Sequence, residues 1–244
     1  VFRGDCAKDQ HGAAAVFQEL SSSPTSIQDV NTNLAYGAVP GHTTTVSDAR
    51  LAYVQAKLQS KSETWVSIPR ELWHPSWEAR GLRRPMCILR KALYGHPEAG
   101  GHWEAHLTKV VLALGGKPVP DHPSTFFFHD TKLLLTVYVD DLLLSGPKEE
   151  HDKLWKSLGE KVNLDPPETL GRFLGRHHDC VDLKPGTSIE FNMEDYCRDA
   201  VKLYTSITGV DKYKTVTTPF VPEGSVSEED DEVKGELSES CCKV

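Results

Sequence analysis

Between Lys132 and Gly146 the chain reads KLLLTVYVDDLLLSG. A run with no alternation of apolar and polar residues predicts strands covered on both faces. Asp140 and Asp141 nevertheless sit at its centre, where ionised carboxylates are costly unless cations or metal offset them. A hairpin bent at the Asp pair resolves the conflict, giving two buried strands with both acids at the tip. Asp is also a preferred turn residue, so a plain surface turn is the competing reading. Against it, Tyr138-Val139-Asp140-Asp141 contains no Gly or Asn to supply the positive φ that tight two-residue hairpins favour.

The rest of the chain is read for what it brings beside those acids. Thr43 to Val46 is a β-branched run suited to a strand. It passes through Ser47 and Asp48 into Ala49 to Leu58, a segment of helix formers without Gly or Pro. Asp48 therefore ends a strand and opens a helix, the position of a residue at the rim of a sheet. Short strands are predicted at Trp65 to Ile68 and Met86 to Arg90, and strand material at Phe126 to Phe128. Trp103, Leu107, Val110, Val111 and Leu114 recur at helical spacing before Gly115-Gly116. A second helix carries Leu154, Trp155, Leu158 and Val162 and stops before Pro166-Pro167. Phe173 to Leu174 and Ile189 to Phe191 read as strands, and Asn192 with Asp195 as the N-cap of a third helix. Residues 1–42 read as irregular, with a short element around Ala15 to Leu20. The fold class is α+β, an antiparallel or mixed sheet with helices packed on one face.

Adjacent carboxylates share one environment, which makes them a poor general acid/base pair and a good site for a hard cation. Mg2+ takes oxygen ligands and is commonly held by one or two carboxylates plus substrate phosphates. Two unit charges about 4 Å apart repel by roughly 4 kcal/mol at an effective dielectric near 20, so clustered acids need a divalent ion to stay ionised together. With Asp48 as a third acid, two ions about 3.5 to 4 Å apart could clamp an in-line displacement at phosphorus. That chemistry is nucleotidyl transfer.

Composition matters at two points. The formal charge of −8 argues against a nucleic-acid surface only if it is evenly spread. From Thr217 to Val244, eight acids against two lysines leave −6, so the remaining body carries about −2. Six cysteines include no C-x-x-C pair, and no apolar run reaches the roughly 18 residues of a membrane span, so a reduced, intracellular protein with no membrane partner is expected. The first residue is Val, which predicts a fragment or a processed product.

Val137-Tyr138-Val139-Asp140-Asp141-Leu142-Leu143-Leu144-Ser145-Gly146 resembles the YVDD box of the reverse transcriptase in copia-type long-terminal-repeat retrotransposons. Cys87-Ile88-Leu89-Arg90-Lys91-Ala92-Leu93-Tyr94-Gly95 is similar to that family's C-x-L-x-K-x-L-Y-G segment, with Trp103 at the place of its downstream Trp. The stretch from Asp48 to Leu58 is similar to the one carrying the first catalytic Asp, Phe173-Leu174-Gly175 to an F-L-G element, and Thr218-Pro219 to the closing T-P. The resemblance implies residues 1–216 as a reverse transcriptase domain, with a polymerase palm (a ferredoxin-like antiparallel sheet) plus partial fingers. Residues 217–244 would be an acidic, disordered linker or tail, leading toward the RNase H region of a longer Pol polyprotein that also holds an integrase. It implies RNA-directed DNA polymerase activity with two Mg2+ ions, or Mn2+, held by the catalytic residues Asp48, Asp140 and Asp141. Tyr53 would be the steric gate under the deoxyribose and Glu98 a nucleotide contact. Tyr138, Phe173, Leu174 and Gly175 would lie near primer and template. Partners would be an RNA or DNA template with its primer, and dNTPs.

The sequence departs from the family pattern at Glu98, where Gln is usual, and at Gly101, where Arg is common. Arg3-Gly4 resembles the end of a basic fingers motif whose upstream Lys and Arg lie outside this chain. Two readings stay open: an active polymerase domain, and a catalytically silent remnant that keeps the palm fold and binds nucleic acid without extending it. Tyr53 is either the gate or an ordinary core residue. His177, His178 and Cys180 form either a metal cluster or a surface strand. Trp73, Trp77, Arg80, Arg83 and Arg84 interleave aromatic and basic residues as single-strand binders do, or form a loop whose Trp residues pack on the core.

Overall fold

The computed structural model describes residues 24–210 apart from 184–185, together with residues 7, 8, 13 and 212. The element expected at Ala15 to Leu20, Arg3-Gly4, Thr218-Pro219 and the tail from 217 lie outside the described residues. The chain divides into two compact units, residues 1–174 with 178–190 and residues 175–177 with 191–244.

The first unit is built on a six-stranded sheet. Its strands are β1 (His42–Asp48), β4 (Lys117–Pro118), β5 (Thr125–Phe128), β6 (Leu133–Tyr138), β7 (Asp141–Pro147) and β8 (Glu168–Thr169), in the order β4-β5-β6-β7-β1-β8. Every pairing given for it is antiparallel. β6 and β7 are the predicted hairpin and stand at the centre. Leu133, Leu135, Leu142, Leu143 and Leu144 are fully buried, and burial of each such side chain contributes about 2 kcal/mol. A separate two-stranded ribbon pairs β2 (Trp65–Ser67) with β3 (Met86–Ile88), and the short helix α3 (Pro75–Ala79) lies in the loop between them. The two short strands are those expected from the sequence.

Helices cover both faces of the central sheet, where the sequence led us to expect one. Paired residues of antiparallel strands share a face, and the β-ladder puts Leu135, Val137, Leu142 and Leu144 on one side. These pack with Phe126 and Phe128 against α4 (Ala99–Ala113) through Trp103, Leu107 and Val111, and against α5 (His151–Gly159) through Leu154, Trp155 and Leu158. The opposite face carries Leu143 and meets Val30 and Leu34 of α1 (Ile27–Gly37), together with Phe173 of β9 (Arg172–Phe173). Leu143 falls between the residues that face α4 and α5, so a strand apolar at every position needs a second cover.

Helix α1 lies in the stretch read as irregular. It starts at Ser26, whose hydroxyl accepts the Asp29 N–H at 3.1 Å while the Asp29 carboxylate accepts the Ser26 N–H at 3.2 Å. This reciprocal pair is a capping box. Asn33, fully buried on its inner face, donates to the Thr136 hydroxyl at 2.6 Å and to the carbonyls of Leu134 at 3.1 Å and Leu143 at 3.3 Å. The Thr44 and Ser145 hydroxyls lie 2.8 Å apart beside it. Gly37 allows this approach: a Cβ there would collide with both hydroxyls.

Beyond Asp48 the expected helix shrinks to one turn, α2 (Ala52–Gln55). Ala49 is bridged to Leu164, Leu51 sits at φ 50°, and Ala56 is extended on the way to a bridge between Lys57 and Lys91. Helix formers yield here to tertiary pairing on either side, as propensity commonly does.

At the far end of the sheet a buried polar relay fixes α5. The Trp155 indole donates to the Thr45 hydroxyl at 2.7 Å, Thr45 lies 2.8 Å from His151 Nδ1, and His151 Nε2 lies 3.2 Å from the Gly146 carbonyl. Burial holds the His151 imidazole below its usual pKa, so it is neutral. Its stabilising effect is complete above the unfolded value near pH 6.5 and is lost as pH falls below it. Thermal melts at pH 7.5 and pH 5 should show a drop that His151→Gln flattens. An equal drop in that variant would assign the pH dependence to other groups.

The three-stranded sheet runs in the order β11-β10-β9, with β10 (Arg176–Leu183) and β11 (Gly186–Asn192). His178 is buried and its Nδ1 lies 3.1 Å from the Gly171 carbonyl, so it is a structural residue and not the exposed one expected. The second unit contains α6 (Glu194–Thr208). The Asn192 side chain accepts the Glu194 N–H at 2.8 Å, as the sequence suggested, and Gly209 ends the helix at φ 69°. His177 lies 3.3 Å from Asp195. Tyr196, Leu203, Tyr204 and Ile207 of α6 are exposed. Among the described residues no helix is long and apolar enough to cross a membrane.

Candidate active site

Strand β1 runs antiparallel to β7 with an unbroken register that ends on Asp48 opposite Asp141. The two acids therefore emerge on one face at one end of the ladder, close enough to act on each other. Asp140 lies in the turn between β6 and β7, and its carbonyl accepts the Ala49 N–H at 2.8 Å. Asp48 is exposed, whereas Asp140 and Asp141 are half-buried. Burial, then the charges of Asp48 and Asp140 and the hydrogen bond to Asp48, push the Asp141 carboxyl up to about 7. A carboxyl raised this far marks acids crowded together, the condition under which a cation is strongly favoured.

The turn itself is unusual. Val139 has φ 57°, a left-handed conformation that costs a β-branched residue about 1–3 kcal/mol unless its surroundings enforce it. The Val139 carbonyl accepts the Trp103 indole N–H at 2.6 Å. The sequence offered no residue suited to positive φ at this turn, and the hairpin forms regardless because its strands are tightly held.

Tyr53, on α2, is half-buried with its ring centroid 4.4 Å from that of Tyr94. Burial first, then the Asp140 charge, raises both phenols above their usual range. The aromatic pair thus stands beside the acids. Tyr94 belongs to the Leu93-Tyr94-Gly95 motif, and the neighbouring Gly95, at φ 91°, marks the sharp turn that brings it there.

Other candidates fall elsewhere. Glu98 is buried, with its carboxylate hydrogen-bonded to the Ser60 hydroxyl and 3.5 Å from His102 Nε2. Its charge is thus engaged inside the protein at the start of α4. Tyr138 pairs with Asp141 across the hairpin and is 37% exposed, available to a ligand. Phe173 is buried with Val30, Leu34 and Leu143, and Leu174 packs against that cluster at φ 48°. Gly175 begins the second unit. In the ribbon loop the Trp73 indole donates to the Ile68 carbonyl at 2.8 Å, whereas Arg80, Arg83 and Arg84 are exposed.

Among the described residues no three or more His, Cys, Asp or Glu side chains are gathered into a ready-made metal cage. The donor set of Asp48, Asp140 and Asp141 nevertheless suits a hard divalent ion in chemistry. All its donors are carboxylate oxygens, and the charges of Asp48 and Asp140 both act on Asp141.

Fold and site together define an antiparallel α+β domain whose central hairpin presents clustered carboxylates beside an aromatic pair. The chain belongs to the reverse transcriptase (RNA-dependent DNA polymerase) family, whose model matches residues 9–221. It is 31% identical over 146 residues to the retrovirus-related Pol polyprotein from transposon RE1 of Arabidopsis thaliana, a match covering 58% of this chain and 9% of that polyprotein. The chain thus matches under a tenth of that relative's length. Among solved structures it is similar to a telomerase from Candida albicans in complex with a TWJ fragment of telomeric RNA. The identity is 14% and the TM-score 0.37, over 84% of this chain and 37% of that one. The resemblance to retrotransposon reverse transcriptases drawn from the sequence is borne out at the level of the family.

Proposed function

We propose that this chain is the polymerase domain of a retrotransposon Pol polyprotein and extends a primer 3′-hydroxyl on an RNA or DNA template, using dNTPs. The carrying observation is the β1–β7 register, which sets Asp48 opposite Asp141 at the tip that also bears Asp140. In this reading the sheet, α4 and α5 are a palm, and the β2–β3 ribbon belongs to partial fingers.

Asp48, Asp140 and Asp141 would hold two Mg2+ ions, or Mn2+. Bound there, the ions would lower the pKa of the primer hydroxyl and neutralise charge on the leaving pyrophosphate. The residues of the chain do the rest. Asp141 must shed its proton to become a ligand; burial and then its neighbours' charges hold that proton in the bare site, and an ion would neutralise those charges. Tyr53, braced by Tyr94, would supply a flat wall under a nucleotide sugar. Tyr138 would face primer or template, and Phe173 would act from the core by supporting the strand beside them. The exposed Arg80, Arg83 and Arg84 would meet template phosphates. RNase H and integrase regions would be partners within the polyprotein.

Extension of oligo(dT) on poly(rA) with Mg2+ or Mn2+ tests the proposal. Incorporation by the intact protein is the expected result. No incorporation by protein whose circular dichroism confirms its fold would overturn it in favour of the silent remnant.

A further inference from the structure

We propose that Trp103 is a positioning residue, whose indole N–H clamps the acid-bearing turn in its left-handed conformation and so keeps Asp140 and Asp141 directed at one point. The inference rests on the reading of Asp48, Asp140 and Asp141 as the ion-binding acids.

Both carbonyls of the turn are tied. That of Val139 accepts from Trp103 at 2.6 Å, and that of Asp140 accepts from Ala49 at 2.8 Å. Together these bonds fix the two peptide planes on either side of Asp140. Relaxation of Val139 from φ 57° toward an ordinary conformation would turn its carbonyl away from Trp103 and re-aim the side chain that follows. Packing alone does not prevent this, because Val139 lines an open cleft beside the turn together with Trp103, Leu107, Phe126 and Val137. The donor, by contrast, cannot swing. Trp103 is 2% exposed and locked among Leu107, Val111 and the sheet. One rigid hydrogen bond therefore opposes the local strain, and it reaches the acids from a helix that carries none of them.

If strain is what Trp103 resists, a residue at home at positive φ should make it dispensable. The test uses Trp103→Phe, Val139→Gly and the double variant, with two measurements. The first is Mn2+ affinity by electron paramagnetic resonance without nucleotide. The second is hydrogen exchange of the Ala49 amide in metal-free protein, since that amide is protected by the Asp140 carbonyl. Trp103→Phe should weaken Mn2+ binding about tenfold, the upper end for loss of one buried hydrogen bond, and speed Ala49 exchange. Adding Val139→Gly should restore both to within about twofold of wild type. If the phenylalanine variant does not fold, benzothienylalanine at position 103, which keeps the shape of Trp and lacks its N–H, takes its place. Unchanged exchange and affinity on loss of the N–H would overturn the clamp, as would losses that Val139→Gly leaves unrepaired, since these indicate packing. Wild-type protein that binds no Mn2+ while the exchange pattern follows the prediction would overturn the ion-site reading and leave the clamp standing.

Discussion

Asp140→Asn and Asp141→Asn should each lower primer extension by about 10³ or more. Loss of a Lewis-acid site removes several kcal/mol of charge stabilisation, and each 1.4 kcal/mol or so is tenfold in rate. A loss under about tenfold in either variant would show that these carboxylates do not carry the chemistry. Asp141→Asn also has a signature that needs no substrate. In the folded protein Asp141 keeps its proton up to about pH 7, whereas in the unfolded chain it loses it near pH 4. Between those values the folded state binds more protons, so stability falls as pH rises through that window. With chelator present, Asp141→Asn should raise the melting temperature at pH 8 and leave it almost unchanged at pH 4. An equal shift at both values would mean the variant acts by packing and not by relief of charge.

The largest loss of stability is expected at the other end of the sheet. Trp155 is 5% exposed and fills the space between α5 and β1 while donating to Thr45. Trp155→Ala leaves a cavity and removes one of the two side-chain partners of the Thr45 hydroxyl, at a cost of about 3–5 kcal/mol, or roughly 10 °C in melting temperature for a chain of this size. Trp155→Phe keeps most of the volume and loses only the hydrogen bond, worth about 1 kcal/mol. Thermal unfolding of the two variants separates the contributions. Equal damage by both would assign the weight to the relay through His151 and not to the volume of the ring.

Helices α4, α5 and α6 were legible because each repeats its apolar residues at helical spacing, the central hairpin because its apolar run is unbroken on either side of the acids, and β1 because Thr43 to Val46 are β-branched. Helix α1 was not. Its inner face offers only Val30 and Leu34 as apolar contacts and adds Asn33, which periodicity counts as a surface residue although it is fully buried. The signal that could have found it is Ser26 with Asp29, the capping box. The helix read after Asp48 failed for the opposite reason: its propensity was good, but Leu51 and Ala56 are held out of helix by pairings remote in sequence. At the candidate site, the Asp pair at a hairpin tip followed from the cost of burying charge. The Trp103 bond to Val139 and the Tyr94 stack on Tyr53 did not, since neither ring's direction is written in its spacing.

The polar seam beneath α1 has a consequence for how the acids find each other. The Thr44 hydroxyl meets that of Ser145, and the Asn33 amide donates to the Thr136 hydroxyl and the Leu143 carbonyl, contacts that form only in one alignment of β1, β6 and β7. The leucines would tolerate a sliding strand, because apolar contacts have no direction, but a shift by one residue turns every side chain to the opposite face. The hydroxyl seam therefore works like the notch of a key. It indexes the ladder near one end so that, several residues further along, Asp48 and Asp141 arrive opposite each other.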